Sequence, residues 1–468
     1  MKGVKLSVAI LALFSILSII YFNSFSIAQS DEKVEVKVES EVYKQVENND
    51  KVRVIVNLRR NFDTEDQSKI IKYSKNNIDA LSKEFSEKQG EELKIIYTYD
   101  SLNSLAIEAD KKTIEALKES NLVEEIFAES TLEIQLQESL QLINATNAWN
   151  VQVPYGSQTT NLTGLGQVVC LLDTGVDYNH NALGAGWGVK IIGGWDFVNN
   201  DSNPMDDNGH GTHLAGIIAA KGVNPSNNQS IRGVAPDALI IAEKVCNSAG
   251  SCSNINMIAG LNHCLTTIGY KKLSAISMSI GDGQSYNSTS NTCPTWMDTG
   301  INTAAGYGIP VIVSSGNQGY KNGISYPACS PNATSVGATY DKTVTPFTFN
   351  WIGVCQELRV VDKIACASNT GDNLKLVAPG ATITSTAASN GTVCGAGVGA
   401  IGTCSGTSQA AAHVAGAVAL VRQKYNNNFK RNLIGTLKIN RFLMKSQTQI
   451  TDNVNGLTFP RLSLLGLL

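Results

Sequence analysis

Asp173, His210, Asn317 and Ser408 stand in four short stretches where polar side chains meet glycine: VVCLLDTG, NGHGTHLAG, VIVSSGNQG and GTCSGTSQAAAHVAG. The chain has five histidines. Two of them, His210 and His213, lie three residues apart before an apolar run that reads as a helix. Imidazole takes up and returns protons near neutrality, so one of the pair reads as a general base and the other as a hydrogen-bonded packing residue. H-x-x-H also suits zinc, but the glutamate of H-E-x-x-H is absent and no third ligand is near in sequence. Asp173 ends an apolar run, where its carboxylate can accept a hydrogen bond from an imidazole or cap the following turn. Ser408 enters a long helical pattern, where a serine is commonly only a cap. Here Gly406 and the run Ala410, Ala411, Ala412 keep the approach to the hydroxyl open. The same helix end offers N–H groups and partial positive charge to a developing oxyanion. Asn317 follows another apolar run and offers an uncharged amide donor.

These residues need a rigid frame. Beyond residue 148 the sequence alternates apolar runs such as GQVVCLLDTG, ALIIAEKVC, LSAISMSIG, IPVIVSSGN and LKLVAPG with helical patterns. Continuous rather than alternating apolar strands imply a sheet covered on both faces, hence an α/β fold with a mostly parallel sheet. Sites in such sheets form at the carboxyl ends of strands, where Asp173 and Asn317 fall. Residues 31–130 differ: they are dense in charge, with one glycine, Gly90, and no cysteine, proline or tryptophan. Their pattern predicts a small unit of order βαββαβ, with a boundary at about residues 130–145.

The formal net charge of -3 provides no basic field for nucleic acid. Residues 1–28 follow a signal-peptide layout: Lys2 and Lys5, an apolar run from Leu6 to Phe22, then small residues before a cleavage point after Ala28. The expected destination is secreted, with a membrane tether through an uncleaved N-terminal segment as the alternative. All ten cysteines lie between Cys170 and Cys404, which favours disulfides in an oxidising compartment. Short loops favour Cys246 with Cys252, Cys355 with Cys366 and Cys394 with Cys404, leaving Cys170, Cys264, Cys293 and Cys329 open.

Taken in order, D-T-G, H-G-T-H, S-S-G-N and G-T-S-x-A resemble the motifs of subtilisin-like serine proteases, the subtilases of the peptidase S8 type. The order Asp, His, Ser differs from that of chymotrypsin and the α/β-hydrolases, and the serine context is not the G-x-S-x-G of lipases. The resemblance runs from about residue 140 to the end. Upstream, IYTYDSLNSLAIEADKKTIEALKESNLVEEIFAES resembles the family's I9-type inhibitory propeptide. The implied organisation is a signal peptide at 1–28, a propeptide at 29–135 acting as intramolecular inhibitor, and a three-layer peptidase domain at 136–468. The implied activity is hydrolysis of protein or peptide substrates by a secreted, self-processed serine endopeptidase. By motif position Ser408 is the nucleophile, His210 the general base, Asp173 the residue that holds its tautomer, Asn317 an oxyanion donor, and His213 structural. The alternative is a catalytically silent fold kept for binding.

The resemblance also places Ser279, Ile280 and Gly281 in the wall of the pocket for the side chain preceding the cleaved bond, with Ser325 near its floor. No acidic residue matches the floor, which predicts apolar or aromatic preference. The chemistry requires no cofactor. Asp196, Asp201, Asp206 and Asp207 gather oxygen ligands on one loop, and by resemblance Asp196 and Asp201 are candidates for structural calcium. Gln409, Ala411 and Ala412 replace the family's usual Met, Ser and Pro, and Leu214 a common valine, with consequences expected in packing rather than activity. GVGAIG matches G-x-G-x-x-G but follows no strand and enters no helix directly, which argues against a dinucleotide site. Thr343 to Asp362 stand as an insertion to which the resemblance gives no role.

Overall fold

A computed structural model of the protein describes residues 35–59, 67–99, 103–128, 136–224, 229–266, 273–289, 292–351, 353–397, 399–425, 435–445 and 448–468. The expected signal peptide at 1–28 lies outside them. Among the described residues no helix is long and apolar enough to cross a membrane. The chain divides into two compact units between Glu133 and Ile134.

The first unit has strands β1 (Lys37–Val38), β2 (Val52–Leu58), β3 (Lys94–Tyr99), β4 (Ser104–Ala109) and β5 (Val123–Ala128), in sheet order β1-β5-β2-β4-β3. The βαββαβ order read from the sequence runs from β2 to β5, and β1 and a helix at Ser40–Asn48 precede it. In β2 the period of two is plain: Val52, Val54, Val56 and Leu58 are buried while the residues between them face outward. Asp110 starts the helix Lys111–Lys118 by accepting the Thr113 N–H at 2.8 Å. Such a cap contributes about 1 kcal/mol.

The second unit opens with a hairpin of β6 (Gln152–Tyr155) and β7 (Gln158–Asn161). Its main strands are β8 (Val168–Asp173), β9 (Ile191–Asp196), β12 (Leu239–Lys244), β13 (Leu273–Met278), β14 (Val311–Ser314), β15 (Ala333–Tyr340) and β18 (Leu376–Ala381). Short ribbons pair β10 (Lys221–Asn224) with β11 (Gln229–Arg232), β16 (Val344–Trp351) with β17 (Cys355–Arg359), and β19 (Ile383–Thr386) with β20 (Ile401–Cys404). The seven main strands form one sheet, ordered β18-β15-β14-β13-β8-β12-β9, with every pairing parallel.

Strand β8 explains the layers. Val169 and Leu171 join one apolar core, with the helices His210–Ala219 and Thr407–Tyr425; Val168, Cys170 and Leu172 join another, with the helices Asn254–Thr266 and Asp298–Gly306. A strand buried on both faces has no reason to alternate, which is why VVCLLD is apolar until its last residue. The Thr407–Tyr425 helix is buried from Thr407 to Gln423, and its many alanines let it lie close against the sheet and the His210 helix.

The ten cysteines form five disulfides, including the three expected short loops, Cys246–Cys252, Cys355–Cys366 and Cys394–Cys404. The undetermined four pair as Cys170–Cys264 and Cys293–Cys329. Cys170 on β8 is thereby fastened to the Asn254–Thr266 helix that covers it. The glycines of GVGAIG lead into β20, a strand, rather than into a helix.

Candidate active site

Strand β8 delivers Asp173 to the carboxyl edge of the sheet, where the carboxylate is 1% exposed. Asp173 Oδ1 accepts the Thr174 N–H and the His210 Nδ1–H, both at 2.8 Å. The two loops meet this closely because residue 211 is glycine: a Cβ there would lie 2.1 Å from Gly175 O and 3.2 Å from Asp173 Cβ. Burial pulls the His210 pKa down, but the Asp173 charge and hydrogen bond, with Asp206 behind them, outweigh it and the net shift is upward.

Asp206 is a residue the sequence reading put elsewhere. The sequence gathers it with Asp196, Asp201 and Asp207 as oxygen ligands on one loop, yet the structure sets it apart from the Asp196–Asp201 pair. Asp206 is 3% exposed and accepts the N–H groups of Asn208, Gly209 and Thr212 and the hydroxyls of Thr212 and Thr174. It caps the His210 helix and ties that helix to the residue after Asp173. Burial raises its pKa despite those donors. Asp207 pairs at 2.6 Å with buried Lys244, which also donates to Thr174 O. The recoverable signal was the position of Asp206, four residues before His210 and just before a glycine-led helix.

His213 is wholly buried one turn further on. Its Nε2 lies 3.1 Å from Ile383 O and 3.2 Å from Gly402 O, and burial, reinforced by the His210 charge, pushes its pKa down to about 3. It is a neutral donor to carbonyls, a packing role.

Ser408 is the second residue of the Thr407–Tyr425 helix and 7% exposed. Its backbone N–H is one of the first four of the helix, which have no intrahelical acceptor. Its carbonyl accepts the Ser279 hydroxyl at 3.3 Å. Among the described residues, Ser408 Oγ makes no hydrogen bond to His210, so the structure joins Asp173 to His210 and leaves the serine open. Such bonds are often long without substrate and tighten in the complex.

Asn317 follows β14 and is half-buried. Its Oδ1 accepts the Thr407 N–H at 2.8 Å and the Thr407 hydroxyl at 3.0 Å. That fixes which end of the amide is the donor: Nδ2 lies 3.2 Å from where a Cβ on Gly406 would stand, two residues before the serine. Thr407 went unread as more than motif context, although it orients the amide. Asn317→Ala is expected to lower kcat by roughly a hundred- to a thousandfold with little change in KM, measured on a short peptide substrate. That is the size of effect found for the equivalent donor in subtilisin.

Across the opening, Ser279 and Ile280 follow β13, and Gly281 stands close to Ser325: a Cβ on the glycine would be 3.3 Å from Ser325 Cβ. Ser325 is fully buried, donates to Gln284 O at 2.9 Å and accepts from Asn369 Nδ2 at 3.2 Å. Asp282 beside it spends its carboxylate on the N–H groups of Gln284 and Tyr326 and the Tyr286 hydroxyl. The expected wall and floor residues are therefore neighbours.

Asp196 and Asp201 lie together at the end of β9, where their backbones pair. Both Asp196 oxygens are engaged by the turn itself, through Val198 N, Asn199 N and Asn199 Nδ2, and Asp201 Oδ1 caps Asn203 N. Among the described residues no third acidic side chain joins them in a ligand cluster. The pair fits turn capping better than cation binding.

Residues 164–458 match the subtilase family model, Peptidase_S8. The chain is 32% identical over 340 residues to alkaline elastase YaB of a Bacillus strain, covering 72% of this chain and 74% of that one. It is 34% identical over 274 residues to subtilisin Savinase of Lederbergia lenta, covering 58% and 82%. A cold adapted subtilisin-like serine proteinase of known structure aligns over 64% of this chain and 89% of that one, at 27% identity and a TM-score of 0.49. A parallel α/β domain with these motifs defines a serine hydrolase of the endopeptidase type. The chain belongs to the subtilase family.

Proposed function

We propose that this chain is the secreted precursor of a serine endopeptidase in which Asp173, His210, Ser408 and Asn317 carry the reaction. His210 Nε2 takes the Ser408 proton as Oγ attacks the scissile carbonyl, and Asp173 holds the proton on Nδ1 and stabilises the imidazolium. Asn317 Nδ2 and the Ser408 N–H receive the oxyanion. His210 returns its proton to the leaving amine, and water then releases the acyl group by the same steps in reverse. The observation that carries the reading is the 2.8 Å bond from His210 Nδ1 to Asp173 Oδ1, at the strand edge against which the Ser408 helix packs. The test is a fluorophosphonate probe with the purified protein: labelling at Ser408 that is lost in His210→Ala supports the roles, and labelling indifferent to His210 overturns them.

Secretion is supported by the layout of residues 1–28, by five disulfides, and by relatives such as the minor extracellular protease Epr of Bacillus subtilis. Residues 29–135 are read as the inhibitory propeptide, removed by the enzyme itself. The neutral floor at Ser325 favours an apolar side chain before the cleaved bond. Structural calcium on Asp196 and Asp201 is the weaker reading, because the turn already engages both Asp196 oxygens and Oδ1 of Asp201. Chelation with EGTA is expected to leave Tm unchanged in a thermal melt, and a clear drop would reinstate the metal.

A further inference from the structure

The insertion Thr343 to Asp362 folds into the β16–β17 hairpin, and three fastenings make that hairpin a fixed element. Cys355 is bonded to Cys366. Glu357 Oε1 accepts both the Cys366 N–H and the Tyr340 hydroxyl, the latter at 3.0 Å. Trp351 Nε1 donates to the same Tyr340 oxygen at 2.8 Å, and both rings are buried. The tip closes as Val354 N–H donates to Trp351 O at 2.8 Å.

The tip reaches the loop that carries Asn317. Val354 Cγ1 stands 3.2 Å from where a Cβ on Gly319 would lie, and Gly319 has a φ of +73°. Gly319 is two residues after Asn317, and its N–H donates to Ala367 O at 2.8 Å. One residue further, the Tyr320 hydroxyl donates to Gly283 O at 3.2 Å. The same short loop thus touches the hairpin and the wall that begins at Ser279. Val354 nevertheless remains 44% exposed. One exposed valine is ordinary on a protein surface. This one is held by a disulfide, a partly buried carboxylate and two buried aromatic rings beside the loop that carries Asn317.

We propose that Val354 is a specificity-determining residue: the hairpin tip forms one rim of the substrate cleft and packs against an apolar side chain of the bound peptide. The proposal rests on the catalytic reading above. Valine offers only shape and apolar surface, so its discrimination is of the size that a methylene or two provides, about tenfold in kcat/KM.

The test is a cleavage profile of the mature enzyme on a peptide library varied one position at a time, for the wild type, Val354→Lys, Val354→Asp and Val354→Thr. Ratios within one enzyme cancel any general loss of activity. At a single substrate position the lysine variant is expected to gain acidic residues and the aspartate variant basic ones, each by about tenfold. Val354→Thr, which keeps the branched shape, is expected to lose apolar preference at that same position. Ratios unchanged at every position in both charged variants overturn the proposal. Fluorophosphonate labelling of the wild type in parallel separates the two failures: no label at Ser408 overturns the catalytic reading, whereas label with unchanged ratios overturns only the role of Val354.

Discussion

Ser408→Ala is expected to lower kcat on casein or a peptide substrate by about 10⁶, the order found for the nucleophile of subtilisin, and to leave the purified precursor uncut. On the proposed roles alanine removes the attacking oxygen, while the backbone N–H of residue 408 and the Asn317 amide, pinned by Thr407, remain. What survives is the oxyanion site and binding, which is why the loss stops short of the full rate enhancement. Sequencing the amino terminus checks the second half: normal maturation of the purified variant refutes self-processing by Ser408. The fold should persist, because Ser408 contributes a buried residue of alanine-like size to a helix already rich in alanine.

Asp173→Asn is expected to cost about 10⁴ in kcat. The amide has the same shape, but Asp173 Oδ1 must accept from Thr174 N–H and His210 Nδ1–H at once, and the other oxygen is buried without a partner. An asparagine either turns its NH₂ toward the imidazole, forcing the wrong tautomer, or buries that NH₂ where nothing accepts it. The pH profile gives an independent check. Activity needs neutral His210, whose pKa is raised from 6.5, so the wild-type acid limb of kcat/KM lies above that value and activity falls as pH drops through it. With the Asp173 charge gone, burial dominates, and the limb of the residual activity moves to lower pH. An acid limb that stays in place would show that Asp173 does not set the imidazole's charge.

Much of this architecture was legible because strand cores and motif loops write themselves into local sequence. VVCLLD announces a strand with two buried faces, and its terminal aspartate announces where the sheet edge lies. The four motif residues could be named from their glycine settings, since close backbone approach demands residues such as Gly211. What remained hidden depends on contacts distant in sequence. Asp206 looked like a surface acid because its neighbours are acidic, and only the fold shows Thr174, thirty-two residues earlier, bringing a hydroxyl to it. Thr407 holds Asn317 across ninety residues, and the Cys170–Cys264 pairing spans 94. No local pattern encodes such partnerships. The insertion could be located but not interpreted, because the nearness of its tip to Gly319 arises from packing alone.

The Cys170–Cys264 bond has a consequence for how long such a molecule lasts. It encloses 94 residues of chain, including both His210 and the turn before it, a closure that stabilises by about 4–5 kcal/mol on the chain-entropy account. A protein-cutting catalyst is surrounded by copies of itself, and its surface turns are their nearest food. A nick anywhere inside this covalent ring leaves both fragments tied together, so the imidazole-bearing piece cannot drift from the carboxylate-bearing strand, and a wounded molecule keeps its working parts in register.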